Sequence, residues 1–391
     1  MTDDQEPLVN GTAARPDKRL FTPGPLNTRP EVRRAMLRDL GSRDTAFVDT
    51  VRRIRRGLLQ LAGVSDDQFT AIPVQGSGTY AIEAVLQTVS PREGAKMLVL
   101  CNGAYGRRME QICRTAGIAC ETFNQSEEQA LSPAAAAPLL AAGPLSAVAM
   151  VHCETSSGVL NPVAELGRLV RQLQPGAAFI VDSMSAFGAV PLDLEAAGVD
   201  YLVSSANKCI EGVPGFGFVI ARLERLKQTK GNSRSLSLDL FDQWAGLERS
   251  GQFRFTPPTH ALLAFDCALQ GLLSAGGVAA QASRYRANNV IVKRGLRRLG
   301  FRPLVRDGDD CYIITSFLCP THANFSFTEL YRRLSALDQV IYPGKVTDAD
   351  CFRIGNIGDL HEPDMHRLVD CVETVLRDMQ VPIPVTYGDP Q

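Results

Sequence analysis

Three stretches of the chain carry residues whose types and placement could do chemistry. Lys208 sits in "SSANKCIEGVPGFGF" (Ser204 to Phe218), among small, polar and glycine residues just after an apolar run. A lysine normally belongs on a solvated face. Buried, it moves its pKa down from about 10.4 and becomes a candidate Schiff-base nucleophile. Asp182 closes the apolar run "AFIVD", where a carboxylate is costly unless a cation or a strong donor meets it. Taken alone, it could equally cap the turn that follows. The turn Gly76-Ser77-Gly78-Thr79 precedes apolar residues at Ala81, Ile82, Val85, Leu86 and Val89, the spacing of one helix face. Free N–H groups and the positive dipole end at such a turn suit a phosphate, although a plain turn with a Ser/Thr cap has the same look. Together, an anion cradle, a buried carboxylate and a buried lysine are what pyridoxal phosphate asks of a protein: an anchor, a partner for the pyridine nitrogen, and an amine to hold the aldehyde.

The elements that must position these residues alternate. From about Phe69 to Ala221, the strand-like runs "KMLVLCN", "LSAVAMVH", "AFIVDS", "YLVSSA" and "GFVIA" are separated by segments of helical period. That rhythm predicts an α/β fold with crossover-connected, mainly parallel strands between helices. Ligands of such sheets gather outside the carboxyl ends of the strands, which is where Lys208 and Asp182 fall. After about Leu273 the pattern loosens into "AAQASRYRANNVIVKRGLRRLG", then "CYIITSFL", "VIYPGK" and "DCFRIGNIG", then an amphipathic helix from about Glu362. This predicts a large domain over 21–272 and a smaller α+β domain over 273–391.

Bulk composition narrows the function classes. The 391 residues are 45% hydrophobic and 21% charged, and 41 Lys plus Arg against 42 Asp plus Glu leave a net charge of −1. No basic footprint for nucleic acid or an anionic membrane results. The apolar runs fall far short of the roughly 20 residues that cross a bilayer. The 10 cysteines show no CxxC pair and no zinc-ligand spacing, so no metal is expected and reduced thiols in a cytoplasmic protein are the reading. The opening "MTDDQEPLVNGTAARPDKR" is acidic and lacks a hydrophobic stretch, so residues 1–20 are expected to be a mobile extension rather than a targeting peptide.

The chain also resembles a known family, the class V aminotransferases among the fold-type I pyridoxal-phosphate enzymes. The likeness is carried by "FTPGPLNT", "QGSGTYAIEAVL", "NGAYG", "AMVHCETSSGVLNP", "SSANKCIEGVPGFGFVIAR", "SRSLSLDL", "FTPPTH", "VIYPGKV" and "DCFRIGNIG", in that order from about Leu20 to Met379. Within the family it is most similar to the branch that uses 2-aminoethylphosphonate as donor and pyruvate as acceptor. The resemblance implies pyridoxal 5'-phosphate held by Lys208, with Asp182 on the pyridine nitrogen and Ser77, Gly78 and Thr79 on the phosphate. It further implies Tyr105 against the ring face, and Thr155 and Asn207 as polar neighbours. It implies a homodimer with the site at its interface, where Thr256 reaches the partner subunit's phosphate, and Arg353 binding the anionic end of the substrate. A purely structural Arg353 would instead pair with Asp350 or Asp359.

Two departures stand out: "ETSSG" and "DSMSAFG" replace the "ETTTG" and "DAMSSFG" common in relatives, which touches the packing around Thr155 and Asp182 but keeps both residues. Cys209 reads as a buried structural thiol, because adjacent strand side chains point opposite ways, and Glu211 reads as a loop contact. An alanine– or serine–glyoxylate aminotransferase would keep the same cofactor residues. A sulfur-abstracting enzyme would need a reactive cysteine on an electropositive loop, and Cys311, Cys319 and Cys351 lie in apolar, strand-like settings.

Overall fold

A computed structural model describes residues 17–343 and 349–387. The central sheet has seven strands: β1 (Phe69–Gln75), β2 (Lys96–Cys101), β3 (Ala119–Asn124), β4 (Ala147–Val151), β5 (Ala178–Asp182), β6 (Tyr201–Ser205) and β7 (Phe216–Arg222). They lie in the order β1-β7-β6-β5-β4-β2-β3. β4, β5 and β6 are buried along their whole length, as befits strands covered by helices on both faces. All neighbours pair in parallel except β7, which is antiparallel to both β1 and β6. The reason is the link Ala206–Gly215, too short for the dozen or more residues that a parallel crossover needs. The chain moves outward from β2 to β3 and the other way from β4 to β5. The order therefore reverses between β2 and β4, whose carboxyl ends frame the crevice where ligands of such sheets bind.

The smaller unit is built on the antiparallel strands Ile314–Leu318, Cys351–Gly355 and Tyr342–Pro343, with Cys351–Gly355 in the middle. The helices Phe327–Ala336 and Glu362–Asp378 pack on it. The expected extension lies outside the described residues up to position 16. From there the chain is anchored: Lys18 Nζ donates to Ser335 at 2.8 Å, and Arg19–Leu20 pairs in parallel with Gln339–Val340. Phe21 is buried in the core of the smaller unit. The segment near residue 20, placed by sequence in an extension and the large domain, thus belongs physically with the C-terminal unit, because its partners lie more than 300 residues away. The expected boundary at 272/273 falls in the last turn of the helix Thr259–Ser274. The break comes just after, at Gly276 and Gly277, both at positive φ. Beyond the break, the helix Gly277–Arg298 runs from Val278 against the large core to Val292 and Leu296 in the small one. Among the described residues, no single helix is long and apolar enough to cross a membrane.

Candidate active site

β1 ends at Gln75 and turns through Gly76, whose φ of 105° is open to glycine. Ser77 then sits in extended conformation before the helix Gly78–Val89, and its hydroxyl makes no capping bond. The first N–H groups of that helix have no intrahelical partner. Gly78 is dictated by packing, since a Cβ there would lie 2.2 Å from the Met184 sulfur. Ser77, Gly78 and Thr79 form one wall of a cavity of about 210 Å³ that Tyr105, Arg108, Asp182, Met184, Asn207 and Lys208 also line.

Asp182 is the last residue of β5, and its carboxylate accepts one hydrogen bond, from the Met184 N–H at 3.0 Å. Burial pushes its pKa up to about 7; the Met184 bond and the Lys208 charge oppose the shift, and the Glu154 charge adds to it. His152 beside it is neutral, pushed down to about 4 by burial, and its Nδ1 meets Ser183 Oγ at 3.0 Å. Lys208 Nζ donates to the Pro23 carbonyl at 2.6 Å, and burial brings its pKa down to about 8. Gly24 lets the Pro23–Pro25 segment close over the lysine: at φ 112°, its missing Cβ would sit 2.9 Å from Lys208 Cδ and 2.6 Å from the Asn207 oxygen. Among the described residues no ion pair joins Lys208 to Asp182 across the cavity, so each keeps capacity for a ligand.

Tyr105 opens the helix Ala104–Thr115, with its N–H on Glu154 Oε2 at 3.2 Å and its phenol pushed up by burial. The Arg108 guanidinium lies 4.9 Å from the Tyr105 ring centroid, and Arg108 Nη1 is 3.4 Å from Thr79 Oγ1. Thr155 is buried near enough to bear on the Tyr105 phenol, yet its hydroxyl completes no hydrogen bond. The Thr155 carbonyl accepts from Arg353 Nη1 at 2.7 Å. Arg353 is itself buried on the middle strand of the small sheet, 4.8 Å from the Tyr342 ring centroid, and burial lowers its pKa. Of the two carboxylates a structural Arg353 would call on, Asp359 faces His361 at 3.3 Å.

The fold thus brings Ser77, Gly78, Thr79, Tyr105, Asp182, Asn207 and Lys208 onto one cavity, with Thr155 and Arg353 behind Tyr105. Thr256 is not on it: it is exposed, tied by its carbonyl to Gln75 Nε2 at 3.0 Å beside the cradle. The open helix terminus, the under-partnered Asp182 and the unpaired Thr155 hydroxyl fit a phosphorylated, hydrogen-bonding aromatic aldehyde. Cys209 is buried with its thiol on the Ser185 carbonyl, and burial pushes it up. Glu211 pairs with Arg284 and accepts from Tyr285 and Gln281, a contact rather than a base. Cys319 is pushed up to about 12 by burial, the opposite of a reactive thiolate.

Sequence reasoning missed Arg108, Glu154 and the Pro23–Gly24 cover. Arg108 follows Tyr105 by three residues, a spacing that puts both on one helix face and could have flagged it. Glu154 and Pro23 give no local signal.

Residues 31–324 match the model of the family described as aminotransferase class-V. The chain is 47% identical over 359 residues to a 2-aminoethylphosphonate–pyruvate transaminase from Syntrophobacter fumaroxidans, covering 91% of this chain and 96% of that one. It is 46% identical over 358 residues to an enzyme of the same name from Vibrio cholerae, covering 90% and 96%. A solved structure titled alanine–glyoxylate aminotransferase, from Nostoc sp., superposes with a TM-score of 0.83 over 96% of this chain and 98% of that one. Its 24% identity speaks for the fold alone.

Proposed function

The chain belongs to the class V aminotransferases, and from that membership we propose that it moves the amino group of 2-aminoethylphosphonate to pyruvate, giving phosphonoacetaldehyde and L-alanine. The extent of the likeness to the two transaminases, almost end to end, carries the reading. The likeness to the alanine–glyoxylate enzyme extends only to the fold, which disfavours that activity.

Pyridoxal 5'-phosphate, bound in the cavity, supplies a sink for the electrons released when the donor's C–H bond breaks. Ser77, Gly78 and Thr79 would hold its phosphate at the start of their helix, and Tyr105 its ring face. Lys208 would hold it covalently. With its pKa brought down to about 8, the Lys208 amine is partly neutral near neutrality and can take a proton from the donor carbon and return it elsewhere. Asp182 would hold a proton on the ring nitrogen, a preorganised charge where negative charge develops. Thr155 and Asn207 would supply polar contacts to the cofactor. Arg353 pairs with the donor's phosphonate, and with the pyruvate carboxylate in the second half of the cycle, because its planar fork suits both groups. The Thr155 carbonyl aims it, and the Tyr342 face backs it. The protein works as a cytoplasmic homodimer, each site completed by the partner's Thr256.

The test is product formation. Purified protein given pyridoxal phosphate, 2-aminoethylphosphonate and pyruvate should form phosphonoacetaldehyde and alanine in equal amounts, followed by phosphorus NMR and amino-acid analysis. Faster turnover of alanine with glyoxylate would overturn the substrate assignment.

A further inference from the structure

Glu154 is fully buried and the proposed chemistry leaves it unused. Its surroundings are ordered around one task. The helix Ala104–Thr115 begins after Gly103, which has no side chain to cap it, so the first N–H groups must find partners elsewhere. The turn after Cys153 provides them: Ser156 Oγ accepts from the Ala104 N–H at 3.2 Å, and Glu154 Oε2 from the Tyr105 N–H at 3.2 Å. The other carboxylate oxygen is locked in turn by the Ser156 hydroxyl at 2.5 Å and the Ser156 N–H at 3.3 Å. A negative group at a helix N-terminus is favoured by the dipole as well as by the hydrogen bonds. Gly103 is shaped to this contact, for a Cβ there would lie 2.3 Å from Glu154 Cγ. Its φ of 173° is ordinary extended backbone, so space rather than conformation calls for glycine.

The helix so capped carries Tyr105 on its first turn and Arg108 about one turn later, both on the cavity. Thr155, between the two capping residues, offers its carbonyl to Arg353. One tripeptide therefore braces the ring-face residue on one side and the anion-binding arginine on the other. We propose that Glu154 is a positioning residue that, with Ser156, fixes the first turn of the Tyr105 helix against the cofactor cavity. The inference rests on the preceding reading for what Tyr105 does there, and not for the cap itself.

Two measurements separate these. In cofactor-free protein, Glu154→Gln puts an NH₂ where an N–H donor is now met, so amide hydrogen exchange at residues 104–107 should speed up about tenfold. The helix Gly78–Val89 should keep its protection. Gly103→Ala, which displaces the carboxylate without removing it, should do the same and serves if Glu154→Gln does not fold. Unchanged exchange at 104–107 in a folded variant overturns the proposal. In the second measurement, pyridoxal phosphate affinity should fall about tenfold in Glu154→Gln, and most of that loss should disappear when Tyr105→Ala is already present, since Glu154 then has only Arg108 left to position on the cavity. Additive losses would assign Glu154 a general structural role and overturn the proposal. Failure of the wild-type protein to bind pyridoxal phosphate would sink the functional reading while leaving the exchange result to stand or fall by itself.

Discussion

Asp182 and Asp200 flank neighbouring strands of one sheet, and both are buried, but they lie at opposite edges. Asp200, at the amino edge just before β6, accepts from the Phe179 N–H at 2.9 Å and contacts the Arg171 guanidinium, with Arg222 at 3.4 Å and Arg225 at 3.7 Å. Asp182, at the carboxyl edge, has one backbone N–H. Glu211, in the link after β6, is also met by the chain, through Arg284, Tyr285 and Gln281, while the Thr155 hydroxyl lies near the Tyr105 phenol without completing a hydrogen bond. Buried polar groups in folded proteins are nearly always satisfied. Asp200 shows what satisfaction of a buried carboxylate by the chain itself looks like, and Asp182, with its single bond, keeps capacity for a ligand.

Breaking each side of this contrast should have different consequences. The largest is at the carboxyl edge: Lys208→Ala should cut turnover by at least ~10³-fold, and borohydride should no longer fix cofactor to the chain. Retained turnover, with cofactor trapped on another residue, would remove the lysine from the chemistry. At the amino edge, Asp200→Asn should leave activity of the folded fraction within about twofold but lower stability in urea by about 2–3 kcal/mol. That is below the ~3–5 kcal/mol of a fully buried pair because its arginines stay partly solvated. A smaller effect is expected at the link to the second unit. Arg353→Lys should weaken donor and acceptor together by about tenfold, a point charge replacing a fork, with cofactor retention unchanged. If only one half-reaction responds, Arg353 does not serve both substrates.

How much of this was legible in the sequence follows the distance over which each feature is written. The five strand runs read from the sequence and the Gly76–Thr79 turn are local patterns, and they lie within a residue or two of where the sequence puts them, whereas the strands Phe69–Gln75 and Ala119–Asn124 are not among those runs. The cavity also gathers Lys208 and Asp182, because strand ends converge on one edge by topology. Glu154 capping a helix 49 residues away, Lys208 under Pro23 across 185 residues, and Arg353 on Thr155 across 198 are written in no local pattern. The antiparallel direction of β7 could have been read from the short link before it. The anchoring of Arg19 and Leu20 could not, since a two-residue parallel pairing has no periodicity.

The central claim, that Asp182 is under-partnered because a ligand completes it, is tested by one comparison of thermal stability at pH 8. Asp182's pKa is raised from ~3.9 in the unfolded chain to about 7 in the fold. Its stabilising contribution is therefore full below ~3.9 and lost as pH rises to about 7, leaving a buried charge at pH 8 that costs up to ~4 kcal/mol. Cofactor-free Asp182→Asn should be more stable than wild type at pH 8, with the gap closing toward pH 5, and should gain less than wild type when pyridoxal phosphate is added. A cofactor-free variant less stable than wild type, or equal stabilisation of both by pyridoxal phosphate, would contradict the account.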